Sequence, residues 1–170
     1  MGLEILAGVV VLGLGLPAVW LYNRLVAARN QARQGYADID VQLKRRADLV
    51  PRLVEAVKGY AGYEKALLGA VTELRAQALS APLRDRFAIE KQLGEKLHQV
   101  VVLQEAYPQL KADAAFRDLA AQLVAVEDHL QYARRFYNGA VKQYLTRLES
   151  FPDLVVARLF GFKPLPFFEL

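Results

Sequence analysis

The chain contains no cysteine, which excludes a disulfide framework, a thiolate zinc site and a cysteine nucleophile while leaving the redox compartment open. Histidine is nearly absent, with only His98 and His129. A di-iron centre in a helical bundle needs a Glu-x-x-His pair on each of two helices. Glu95 and His98 supply one, but the residue three positions before His129 is the apolar Val126. Both histidines are therefore read as structural or solvated. The few Ser and Thr residues have no neighbouring histidine, and no Gly-x-Ser-x-Gly occurs, so acyl-transfer chemistry has no candidate nucleophile. Gly13 and Gly15 lack the third glycine, the lysine and the preceding strand of a phosphate-binding loop. The expectation is a non-enzyme with no cofactor and no metal ligand.

Charge of one sign is also in short supply. The 22 Lys and Arg face 18 Asp and Glu, and residues 1–22 hold only Glu4, so residues 23–170 carry 22 − 17 = +5. A mild excess spread along the chain, without a recognisable module, argues against nucleic acid as a partner. Residues 5–22 hold no charge at all. As a helix they extend about 27 Å, close to the hydrocarbon thickness of a bilayer. The expectation is a retained single-pass anchor in contact with lipid, because the start is acidic and the stretch runs into Tyr22, Asn23 and Arg24 without a small-residue cleavage site. Gly8, Gly13, Gly15 and Pro17 are compatible with a helix in lipid. Arg24, Arg29 and Arg33 follow the stretch and no Lys or Arg precedes it. The positive-inside rule then puts the N-terminus outside and the bulk of the chain at the cytoplasmic face of a bacterial inner membrane. Trp20, Tyr22, Arg24 and Arg29 stand where interfacial residues are expected.

Strand-like alternation is missing after residue 22, and Gly and Pro are sparse before the C-terminus, which points to an all-α chain. Phe116, Leu119, Leu123, Val126, Leu130, Ala133, Tyr137, Ala140 and Tyr144 recur at spacings of three and four, laying one seam along a helix over 113–149. Ile89, Leu93, Leu97, Val100, Leu103 and Tyr107 mark a helix over 86–107, stopped by Pro108. Pro51 decides the earlier part. A proline inside a helix costs about 3 kcal/mol but little in a first turn, and Asp48 is an N-cap residue type three positions before it. The favoured reading is a break near Ala47 and Asp48, giving an antiparallel up-and-down bundle of helices 23–46, 49–79, 86–107 and 113–149. The alternative is three long helices, the first kinked at Pro51 and continuing to Leu79. Residues 151–170 form a short helix followed by an aromatic, proline-containing tail. The organisation is thus anchor 1–22, bundle 23–150 and tail 151–170.

Several strings resemble the LemA family: Tyr22-Asn23-Arg24-Leu25-Val26-Ala27-Ala28-Arg29-Asn30, Asp38 through Pro51, Val57-Lys58-Gly59-Tyr60, Glu105-Ala106-Tyr107-Pro108-Gln109-Leu110-Lys111-Ala112, Ala133-Arg134-Arg135-Phe136-Tyr137-Asn138, and Phe151-Pro152 with Phe167-Phe168-Glu169. The resemblance runs the length of the chain. It implies a membrane-anchored antiparallel four-helix bundle, supports the break near Asp48, and carries no assigned enzymatic activity. The chain departs from the family in having Tyr63-Glu64 where His-Glu is frequent, and Ala47 where a basic or polar aromatic residue is frequent. A role needing imidazole at either place is in doubt.

For recognition, Arg46 and Glu64 fall at positions where the register expects apolar groups, so they are read as buried pairings or as part of a site. Arg134 and Arg135 are read as surface residues beside the seam residue Tyr137, in a cationic and aromatic mixture common at interfaces. Phe160, Phe162, Phe167 and Phe168 either pack back on the bundle or dock on lipid or a membrane partner. These eight residues are the candidate interaction set for an unknown protein partner, a second copy of the chain included.

Overall fold

The structure, a computed structural model, describes residues 2–60 and 64–168, with side chains described for all of these except 2–12, 14, 83 and 84. Among the described residues there are six helices and no strand: α1 Gly2–Lys58, α2 Lys65–Ser80, α3 Leu83–Ala106, α4 Pro108–Ala112, α5 Ala114–Glu149 and α6 Asp153–Leu159. The chain divides into two compact units, Met1–Tyr36 with Arg135–Phe167 and Ala37–Arg134 with Phe168–Leu170.

In the second unit, Leu49, Val50, Leu53, Val54 and Val57 of α1 share one core with Leu68 and Val71 of α2, Leu93, Leu97 and Val100 of α3, Leu110 of α4, and Phe116 to Val126 of α5. The directions follow from the polar contacts. Arg75 of α2 meets Ala47 while α2 starts just after α1 ends, so α2 returns along α1. Arg86 meets Asp40 and Glu90 meets Arg46, so α3 runs with α1. Glu127 meets Arg46 and Asp113 meets Tyr60, so α5 runs against it. The topology of this unit is the expected up-and-down four-helix arrangement.

The expected break at Ala47 and Asp48 is absent, and so is the alternative of a helix running on to Leu79. α1 passes through Pro51 uninterrupted and ends at Lys58. Pro51 cannot donate to the carbonyl of Ala47 four residues earlier, and an orphaned buried carbonyl normally breaks or kinks a helix. Here the guanidinium of Arg75 donates its Nε–H to that carbonyl at 2.7 Å. The helix stops instead at Gly59, with Lys58 in its last turn and Tyr60 N–H closing on the Val57 carbonyl at 3.0 Å. The other boundaries lie close to expectation. α3 ends one residue before Tyr107, which leaves the helical region ahead of Pro108. The connection between the helices expected over 86–107 and 113–149 is itself helical, because Pro108 at the first position suits a new start. Asp113 caps α5, its Oδ1 accepting the N–H of Phe116 at 3.0 Å.

In the first unit, α1 and the C-terminal part of α5 approach closely at Gly35. A Cβ there would lie 3.1 Å from the Cα of Tyr137 and 2.9 Å from the Phe136 ring. Leu21 and Leu25 of α1 form a small core with Val156 and Ala157 of α6, flanked by Leu148 and Phe162. α6 ends in a Schellman turn: Gly161 has φ +66°, and the Phe162 N–H bonds the Ala157 carbonyl at 2.9 Å. The tail then lies back along α5, where the Tyr144 and Tyr137 hydroxyls donate to the carbonyls of Lys163 and Pro166 at 2.9 and 2.7 Å.

Of residues 5–22, the expected membrane span, half (5–12 and 14) are among the residues whose side chains are not described. Among the described residues no helix is long and apolar enough to cross a membrane.

Candidate functional site

Two constellations gather the charged and aromatic residues that sequence singled out. The first is a cleft in the second unit of about 300 Å³, its wall formed by Arg46, Glu90, Gly94, Glu127, Arg134 and Phe168. Arg46 projects from α1 into the helical seam and is 2% exposed. Burial of a guanidinium costs several kcal/mol unless it is paired, and the neighbouring helices supply the partners. Nη2 donates to the Glu90 carboxylate at 2.5 Å and to the Glu90 carbonyl at 2.8 Å, and Nη1 reaches Glu127 at 3.1 Å. Gly94 makes the room, since a Cβ there would stand 3.0 Å from Nη1. The pairing extends outward through Arg86, 3.6 Å from Glu90 and 2.8 Å from Asp40, to Lys44. Burial tends to raise the Asp40 pKa, but hydrogen bonds from Lys44 and Arg86 outweigh it and hold the carboxyl below its ordinary value.

Arg134 is buried, correcting its reading as a surface residue. Its guanidinium lies 4.9 Å over the Phe168 ring, and Phe168 in turn packs on Phe87 with ring centroids 4.1 Å apart. Desolvation, helped by the charge of Arg46 and opposed by Glu127, lowers the Arg134 pKa from its ordinary value. A guanidinium nonetheless stays cationic at any physiological pH. Glu64 does not join this cleft: it occupies the N-cap position of α2, half-buried, and its side chain makes no capping hydrogen bond. Arg135 is exposed.

The second constellation is a cationic and aromatic collar in the first unit. Arg24 spans it, pairing with the carboxylate of Asp153, which is fully buried, while its guanidinium lies 4.9 Å over the Trp20 ring. Tyr22 meets Phe160 and Phe162 edge to face at 4.9 and 5.6 Å, and Arg29 lies 5.0 Å over Phe162. The expected interfacial residues Trp20, Tyr22, Arg24 and Arg29 are thus brought together with two of the tail phenylalanines. Phe168 is buried in the other constellation, and Phe167 is 40% exposed.

Sequence reasoning missed Glu90, Glu127 and Asp153. Glu90 and Glu127 sit next to seam positions, Ile89 and Val126, and a core-facing Arg46 should have prompted a search for such carboxylates. Asp153 falls at the start of the short helix expected after residue 150, and nothing local marks it as a buried partner. Chemically, both constellations are suited to pairing and stacking. His98 and His129 are exposed, and among the described residues no group of three or more His, Cys, Asp or Glu side chains is placed to hold a metal ion.

The LemA family model matches residues 35–170 of this chain. The chain is 21% identical over 175 residues to Magnetosome protein MamQ 1 of Paramagnetospirillum magneticum, covering 87% of this chain and 64% of that protein. Magnetosome protein MamQ of Magnetospirillum gryphiswaldense is similar to the same extent. Protein LemA of Metamycoplasma hominis is 22% identical over 138 residues, covering 80% of this chain and 63% of that protein. The chain therefore spans just under two thirds of the length of these relatives.

Proposed function

The chain belongs to the LemA family, and from that membership we propose that it is a membrane-anchored helical adaptor or scaffold that recruits a protein, or a second copy of itself, without catalysing a reaction. The observation that carries the reading is the charge-free stretch 5–22 at the head of α1, followed at once by Arg24, Arg29 and Arg33. An apolar run of that length satisfies its backbone in lipid only as a helix, and α1 is helical from Gly2 onward. The arginines and the Trp20 and Tyr22 rings match the headgroup level of the cytoplasmic leaflet. Recognition by the body falls to exposed charged and aromatic side chains such as Arg135 and Phe167. The ion pairs around Arg46 contribute a fixed bundle rather than a reactive group.

Alkaline carbonate extraction of membranes expressing the full chain tests the anchor. The chain is expected in the membrane pellet, and a variant lacking residues 2–19 in the supernatant. Crosslinking in intact membranes, followed by identification of what is attached, tests the adaptor role, with a protein adduct expected. Extraction of the full chain by carbonate overturns the anchor. Near-stoichiometric iron or manganese in the purified full chain overturns the non-catalytic reading.

A further inference from the structure

The surface of α6 is inverted relative to an ordinary surface helix. Its polar Asp153 is fully buried, while Val155 and Leu159, one turn apart on the helix, are 56% and 77% exposed, and Phe151, two residues before the helix starts, is 81% exposed. Phe160, just past the helix end, is 58% exposed. The inversion has a visible cause. Asp153 faces inward because Arg24 of α1 holds its carboxylate, and Val156 and Ala157 follow it onto Leu21 and Leu25. That docking leaves the opposite face apolar, with the exposed Arg158 set among its side chains. A water-facing surface would not normally gather four large apolar groups on and beside two turns of helix.

We propose that this face of α6 dips into the headgroup and acyl boundary of the same bilayer that residues 5–22 enter, as a short amphipathic interfacial helix. The inference rests on the anchor reading above. The occupant is lipid because of what lies beside the face. The Arg24–Asp153 pair fixes α6 to α1 two residues after the charge-free stretch ends, and Phe160 packs against Tyr22, one of the two aromatics at the interfacial end of that stretch. Arg158 stands exposed between Val155 and Leu159, and Arg24 and Arg29 lie on the α1 side of the collar, over the Trp20 and Phe162 rings. Cations beside an apolar face are the pattern of an interfacial helix at anionic headgroups, where long cationic side chains reach back toward phosphate. The membrane contact would then comprise two elements far apart in sequence, a span and a hook, joined by one buried ion pair.

The absence of cysteine lets single probes be placed at will. Leu16→Cys and Leu159→Cys in the full chain are labelled with an environment-sensitive fluorophore and reconstituted in vesicles of phosphatidylcholine containing phosphatidylglycerol. The vesicle lipids carry a nitroxide quencher either deep in the acyl chain or just below the headgroup. The expected result is that the probe at residue 16 loses most of its emission to the deep quencher and the probe at residue 159 to the shallow one. Adding Val155→Asp should largely abolish quenching at 159 while leaving the helical circular dichroism unchanged, because Val155 is exposed. Quenching at 16 with water-like emission at 159 overturns the hook and leaves the span standing. No quenching at 16 overturns the span and the hook together. Blue-shifted emission at 159 that neither lipid quencher touches shows a protein covering the face, a second copy or another partner, and also overturns the hook.

Discussion

A guanidinium survives in the core at Arg46 because its neighbours supply two carboxylates and a carbonyl, and the balance is delicate. Removing Arg46 leaves Glu90 buried with only Arg86 beside it, at 3.6 Å, while Glu127, its side chain 40% exposed, can turn to solvent. Arg46→Ala takes the nearer of its two cations from the Glu90 carboxylate, itself 3% exposed, and is expected to cost about 3–5 kcal/mol in urea unfolding. Replacing Arg46 and Glu90 together by methionine should cost far less, since apolar groups of similar volume avoid the desolvation of both ions. Tyr137 offers a test by pH. Burial first, and Tyr36 second, push its phenol up to about 12. The folded state favours the neutral phenol, so its contribution is fully present below the ordinary tyrosine pKa of about 10. It is lost as pH climbs from there through the folded value. Melting temperature measured across that alkaline window should fall in the native chain and fall less in Tyr137→Phe. That variant should also be less stable at neutral pH by about 0.5–1.5 kcal/mol, because it lacks the hydrogen bond to the Pro166 carbonyl.

At the scale of elements, α1 is held through its proline by a side chain from another helix. The Arg75–Ala47 hydrogen bond stands in for the backbone bond that Pro51 cannot make. Arg75→Ala is therefore expected to destabilise by about 1–3 kcal/mol by leaving the Ala47 carbonyl without a donor. In a Pro51→Ala background the new N–H satisfies that carbonyl, and the same Arg75 substitution should cost measurably less. Equal costs in the two backgrounds, read from a double-mutant cycle, would refute the substitution of side chain for backbone. Contact between α1 and α5 is limited by Gly35. Gly35→Ala must move the Tyr137 backbone or the Phe136 ring, and a lower melting temperature is expected despite alanine's better helix propensity. α6 depends on Arg24 in the same way, since Asp153 is fully buried and Arg24 holds its carboxylate.

For the molecule as a whole, the basic residues after residue 22 make a directional prediction. Protease added outside spheroplasts should leave the bundle intact, and degradation to the anchor would show the opposite orientation. Helical class, the apolar head of the chain, the seams of α3 and α5, and the up-and-down order of the bundle were all legible in sequence. Periodicity, charge-free length and the residue before a proline act locally, so one chain suffices to read them. The same local rules placed a break at Asp48 that does not exist, because the group that rescues Pro51 comes from Arg75, 28 positions beyond the carbonyl it serves. They likewise left Arg134 on the surface and Asp153 as an unremarked residue at the start of a short helix. The composition shows that a core-facing Arg46 needs an anion, but nothing in the spacing names Glu90 and Glu127. Sequence by itself determined which elements form and which faces are apolar, since those depend on neighbours along the chain. Only the tertiary structure decided which buried charge meets which, and where α1 ends, because those outcomes turn on donors and acceptors brought together from distant helices.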